Sequence, residues 1–227
     1  VAGMYQQQLN GREPLINVDT RIWYNPNLIT QWMFLPSMMP MLALTQVMIL
    51  AGLSVARERE NGTFDQLLVT PLEPLEILIG KAGLPLLVGL THGTIMLALA
   101  TLWFHVPMVG SIIVLYVTLL VFLLSVIGIG LSVSAVSSTM QQVMVYSFSL
   151  LLPMILLSGM TTPISTMPTI MQYATYINPM RFAVEAIRRI YLEGAGFGLI
   201  IDTYIPMLIV AAITLPLAAW LFRNKLS

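Results

Sequence analysis

The chain has 227 residues, of which 57% are hydrophobic and only 9% charged; ten Lys and Arg offset ten Asp and Glu, and the mean hydropathy is +0.86. Soluble domains carry about 25% charged residues, so this composition excludes an ordinary water-soluble enzyme and a disordered chain and leaves a polytopic membrane protein. The balanced charge offers no footprint for nucleic acid, and the absence of cysteine excludes a disulfide framework, a thiolate metal site and a Cys nucleophile.

Residues 1–30 are polar, with no basic start, apolar stretch or small-residue cleavage site of a secretory signal. The chain therefore reads as the C-terminal part of a longer protein. Five apolar stretches follow, at about Met33–Val55, Ala82–Phe104, Ile112–Val133, Val143–Met160 and Tyr204–Phe222, none with Asp, Glu, Lys or Arg. A helix needs roughly 20 residues to cross a hydrocarbon core. The runs are continuous rather than alternating, which favours helices over barrel strands, so the expected fold is all-α with five transmembrane helices. Pro36, Pro40, Pro153, Pro206 and Pro216 are tolerable because neighbouring helices can satisfy the freed backbone groups.

Two connections are longer than turns, 56–81 and 161–203. The Lys and Arg of the two sides tie in number. Arg57, Arg59, Lys81, Arg223 and Lys225 lie directly against helix ends, where positive charge sets orientation. This places Val1 outside and Ser227 in the cytoplasm. Arg188 and Arg189 fall farther from a span.

In the first connection, Arg57-Glu58-Arg59-Glu60-Asn61-Gly62 closes the first span, since each such charge costs about 2.5–3.5 kcal/mol in mid-bilayer. Thr63-Phe64-Asp65-Gln66-Leu67-Leu68 then begins a two-turn helix that Pro71 ends. Thr63 and Gln66 have capping-box spacing, Asp65 suits the positive helix end, and Phe64, Leu67 and Leu68 share a face. So short a helix needs a surface: either lipid, or a groove on a soluble partner with Phe64 and Leu67 as anchors. Glu73-Pro74 reads as the N-cap and first position of the helix that follows.

Farther along, Ser125, Gly128, Gly130, Ser132 and Ser134 put small residues on the third span, a mark of close helix packing. His92 is the only ionisable group well inside a span, either hydrogen-bonded to a neighbouring helix or a substrate or proton site. Gln141 and Gln142 read as helix-capping or linking groups. Thr169–Tyr176 and Pro179–Glu193 read as helices. On the second, Arg181–Glu185 and Glu185–Arg189 have the spacing of ion pairs. No metal-ligating cluster, H-E-x-x-H or G-x-S-x-G occurs, which leaves an intramembrane enzyme a poor rival.

The run Ala56 to Leu72, with Glu76-Ile77 and Gly80-Lys81, resembles the cytoplasmic signature of type-2 ABC exporter permeases, especially bacterial drug exporters. Leu157-Ser158-Gly159, Pro163, Met167-Pro168, Asn178-Pro179, Arg188 and Leu192-Glu193-Gly194 resemble that family's outer loop, and Arg21 to Leu28 the end of its extracytoplasmic domain. The resemblance implies that residues 1–30 are the tail of that domain and 31–227 the transmembrane domain. It implies the last five of six helices, with 56–81 the cytoplasmic coupling segment and 161–203 an outer re-entrant loop. It implies a multi-pass protein of the bacterial inner membrane and makes the 63–70 helix, with Gly62 before it, the coupling site for an ATP-binding cassette subunit; Arg57, Glu58, Arg59 and Glu60 are either part of that joint or a helix-end charge cluster that anchors the span at the headgroups. It adds a second permease half, identical or a sister chain, with membrane lipids and a periplasmic adaptor as further partners.

The spans have no carboxylate, Lys or Arg for an ion-driven carrier, and the chain has no P-loop: Gly80-Lys81 is followed by Ala82. An exporter subunit that borrows an ATPase fits both absences. It would need no cofactor of its own, ATP and Mg being held by the partner. Cargo would be a drug-like compound or lipid, hydrophobic or amphipathic. A passive channel or non-transporting membrane scaffold is the alternative.

Overall fold

The computed structural model describes residues 30–63 and 74–224. Helix α1 spans Thr30–Glu60, and α2 spans Pro74–Ala98 and continues as a π-helical turn, Leu99–Trp103. Helix α3 is Ile112–Val136 and α4 is Met140–Leu156. A 3-10 turn at Ile164–Thr166 precedes α5, Thr169–Ala174, which runs into a second 3-10 turn, Thr175–Ile177. Helix α6, Pro179–Arg188, is extended by a π-helical turn, Arg189–Glu193, and α7 is Phe197–Asn224. No strand occurs among the described residues.

Four of these helices, α1, α2, α3 and α7, are long and apolar enough to cross a membrane. The fourth predicted span is the shorter α4, whose 17 residues cover roughly 25 Å at 1.5 Å per residue, less than a hydrocarbon core of about 30 Å. Its limits are local. Thr139 caps its start by accepting from Gln142 N at 3.2 Å, while Gln142 Oε1 accepts from Ser138 N at 2.9 Å, the capping role expected of that glutamine. Past Leu156 the chain turns through Gly159, at φ +77°.

Helix α3 is the hub. Leu115, Leu119, Phe122, Leu123, Val126, Ile127 and Leu131 are fully buried, and α1, α2, α6 and α7 all pack on it. Its small residues set the spacing. A Cβ on Gly130 would lie 2.9 Å from the carbonyl oxygen of Met48 on α1, and one on Gly128 would lie 3.1 Å from the backbone nitrogen of Leu215 on α7. The serines stitch the same seams: Ser125 Oγ donates to Met207 O at 2.6 Å and Ser132 Oγ to Thr214 O at 3.2 Å. The small-residue stripe thus serves close packing, as its composition predicts.

The outward faces of α2, α4 and α7 expose Leu84, Leu87, Val145, Leu152 and Ile213. Water would drive such continuous apolar surface to associate; lipid or an apolar partner is its matching medium.

Helix α6 and its π-helical turn cover the expected amphipathic helix, Pro179–Glu193. The sequence fits a solvated interfacial helix equally well; in the structure Met180, Phe182, Ala183, Val184, Ala186 and Ile187 are instead buried where it wedges against α1, α3 and α7. Asn178 anchors it: its Oδ1 accepts from Met180 N at 3.0 Å as an N-cap, and its Nδ2 donates to Met154 O at 2.7 Å, satisfying a terminal carbonyl of α4. Of the two expected pairs, only Glu185–Arg189 forms, at 3.3 Å. Arg181 instead lies 4.3 Å over the ring of Tyr176 and donates to Thr175 Oγ1. Thr169–Ala174 is helical as expected.

Candidate functional site at the charged end of the bundle

The sequence places the end of the first span before Arg57. The helix in fact runs on through Glu60 and makes the charges its last turn. Lys and Arg favour the negative end of the helix dipole, and the turn needs no membrane around it. The stop is a Schellman motif: Thr63 N donates to Glu58 O at 2.9 Å and Gly62 N to Arg59 O at 3.1 Å. Gly62 sits at φ +70°, where only glycine is free of a Cβ penalty.

Three charges of this turn each meet a different helix. Glu58 pairs with Lys81 of α2, whose Nζ also reaches Ser54 O at 3.4 Å. Arg59 Nη1 donates to Ala135 O at 2.9 Å and Ser137 O at 3.1 Å, closing the last turn of α3. Glu60 Oε2 accepts from Met140 N at 2.8 Å, at the first turn of α4. Deeper in, Ser134 Oγ accepts from Val55 N at 3.2 Å and Ala56 N at 3.3 Å. Arg57 points outward and is exposed. One helical turn therefore clamps α2, α3 and α4 together, and the chain leaves it directly into residues 64–73. A push on that segment would reach three helices through charge-assisted bonds rather than through a flexible loop.

The expected site is only partly within view. Arg57, Glu58, Arg59, Glu60, Gly62 and Thr63 converge at this end, whereas Phe64, Asp65, Gln66, Leu67 and Leu68, with the capping box of Thr63 and Gln66, lie outside the described residues. Pro74 does open α2, as predicted. His92 stands apart on α2, half-buried and roughly 16 Å along the helix from Lys81. Among the described residues it takes no part in the hydrogen bonds between helices, so its expected interhelical bond is not seen. No group of three or more metal-ligating side chains occurs among the described residues.

Sequence reasoning misplaced Arg188. It does not lie far from a span: its Nε donates to Ser37 Oγ of α1 at 2.7 Å. The signal was available, because Met180, Val184, Arg188 and Tyr191 recur at helical spacing on the face that α6 buries.

Replacing Arg59 by alanine should uncap α3 and leave two carbonyls without their charged donor. Hydrogen bonds to charged groups are worth about 1.5–3 kcal/mol. The expected result is a lower thermal midpoint for the purified full-length protein, with a smaller loss in Glu60→Ala, whose carboxylate is exposed.

Comparison with known proteins places this geometry in context. A family model described as ABC-2 type transporter matches residues 7–192. The chain is 41% identical over 224 residues to the Probable multidrug ABC transporter permease YbhR of Escherichia coli (strain K12), covering 97% of this chain and 61% of that protein. It is 31% identical over 225 residues to the Probable multidrug ABC transporter permease YbhS of the same strain, covering 98% and 59%. It is 29% identical over 219 residues to the Inner membrane transport permease YhhJ, again of that strain, covering 94% and 58%. The chain thus spans about three fifths of the length of these curated relatives.

Proposed function

Because this chain belongs to the ABC-2 type transporter family, we propose that it is the membrane-spanning portion of an ABC exporter permease, moving a hydrophobic or amphipathic compound out of the cytoplasm. The energy comes from ATP hydrolysed by a separate subunit. The observation that carries this is the clamp at the end of α1: Glu58, Arg59 and Glu60, three charges of one turn, bind Lys81 of α2 and the ends of α3 and α4, and the turn leads straight into the predicted partner-docking helix. A lipid-anchoring charge cluster would have no need to bond the ends of α3 and α4.

In this scheme α1, α2, α3, α4 and α7 cross the inner membrane, α4 completed by the turn after it. The Val1 end is outside and the Ser227 end in the cytoplasm. Residues 56–81 are the coupling segment, with Phe64, Leu67 and Leu68 seated in the ATPase. Closure of two ATPases pushes that helix, and the clamp shifts α3 and α4 as rigid bodies. The exposed apolar faces of α2, α4 and α7 supply surface for lipid and for a second permease half. A periplasmic adaptor would meet the opposite end.

Affinity purification of the full-length protein from its native membrane tests the scheme: an ATP-binding cassette subunit should come with it in stoichiometric amount. A channel or scaffold would come alone, and purified protein pumping solute uphill without an ATPase would refute the assignment. His92→Ala separates a packing imidazole from one in the transport path. Placed as it is on α2, away from the clamp, it should leave ATPase association intact. A change in the pH profile of export assigns His92 to the path; an unchanged rate and profile removes it.

A further inference from the structure

We infer that the pocket formed by the start of α1, the 158–164 turn and α6 binds an anionic amphiphile, its acidic headgroup against Arg188 and Arg181 and its apolar body against Met33, Phe34 and Met160. The inference adds a ligand class to the permease reading. The pocket has a volume of about 770 Å³, within the range of small-molecule sites.

Its cations are the unusual feature. Arg188 is half-buried, and all its bonds go to neutral acceptors: Ser37 Oγ at 2.7 Å, Met160 O at 3.2 Å and Gly159 O at 3.4 Å. Burial lowers its pKa from the ordinary arginine value, yet a guanidinium stays protonated at any physiological pH. Its positive charge is therefore partly desolvated, with no carboxylate in ion-pair contact with it among the described residues. Such a charge is costly unless paired. A guanidinium has five N–H donors, so three bonds leave capacity for a ligand oxygen. Arg181 repeats the pattern: it bonds Thr175 Oγ1 and lies over the Tyr176 ring, while its Nε is shielded and has no acceptor among the described residues.

The pocket's two carboxylates do not cancel these charges. Glu185 is engaged by Arg189, and Glu193 is exposed. A phosphate or carboxylate can bond a guanidinium through two parallel N–H groups, whereas a cationic headgroup would be repelled. Depth agrees as well: 24 residues of α1 separate Phe34 from Glu58, or roughly 36 Å. The pocket thus lies at the headgroup level opposite the clamp. An anionic lipid and an acidic solute in transit share this chemistry.

The test is calorimetric titration of the full-length protein in phosphatidylcholine nanodiscs with decyl phosphate and with decyltrimethylammonium, empty discs being subtracted. Decyl phosphate should bind at least tenfold tighter. Arg188→Gln should reduce that preference by about tenfold or more. So should Thr161→Glu, which sets a negative charge on an exposed position of the pocket wall without touching the Arg188 bonds. Equal affinities, a preference for the cation, or a preference that survives both substitutions overturns the site. Phosphatidylglycerol competing with decyl phosphate assigns the pocket to lipid; ATP-driven movement of decyl phosphate without such competition assigns it to solute; either result upholds it. Equilibrium binding needs no ATPase, so its failure would leave the permease assignment standing.

Discussion

In full-length Phe64→Asp and Leu67→Asp variants, ATP-driven export is expected to fall by tenfold or more, with the ATPase subunit lost or depleted on purification. Both residues share a face with Leu68 on a segment too short to be helical without a supporting surface. If that surface is an apolar groove, each substitution buries an unpaired carboxylate, a loss of several kcal/mol and hence far more than tenfold in affinity. Phe64→Leu keeps the apolar anchor and should retain most of the export. The measurement is transport into inverted vesicles alongside quantified ATPase. If the segment only rests on lipid, both aspartate variants will keep their ATPase and their transport, and the docking role is lost. The clamp is what makes the docking consequential: the chain enters the segment from a turn bonded to α2, α3 and α4.

Gly130→Val should be strongly destabilising. A Cβ there meets the carbonyl oxygen of Met48 at 2.9 Å and the Cβ of Ala51 at 2.8 Å. Neither can rotate away, so α1 and α3 must part, breaking the bonds from Val55 N and Ala56 N to Ser134 nearby. Overpacking of a tight core costs typically about 1–3 kcal/mol, and a backbone obstacle belongs at the upper end. For a chain of this size that is about 4–10 °C in thermal midpoint. Gly80→Ala is the matched control. Nothing lies within 4 Å of its added Cβ, so it should be neutral or slightly stabilising through helix propensity. Equal midpoints for the two variants would show that α1 and α3 are not held together by that close approach.

Much of the architecture was legible in local chemistry. The all-helical fold, the apolar spans and the start of α2 at Pro74 follow from charge-free runs and a proline, which act within their own segment. The stop of α1 was half legible. The charges mark where the hydrocarbon must end, but the helix continues until Gly62, because backbone hydrogen bonding is indifferent to the membrane boundary. The shortness of α4 was hidden, since the apolar run continues past Leu156 into a turn that Gly159 bends.

The charge-poor sequence by itself determined that the chain folds as apolar helices, and where its charges must collect, because burying an ion in hydrocarbon costs more than any local packing returns. It could not determine which partner each charge meets. That Glu60 binds the start of α4, that Arg59 closes α3, and that Arg188 turns inward to Ser37 are matters of which helix ends lie side by side. Only the tertiary packing around α3 brings together groups up to 151 residues apart, and electrostatic pairing acts over a few ångströms of space rather than along the chain.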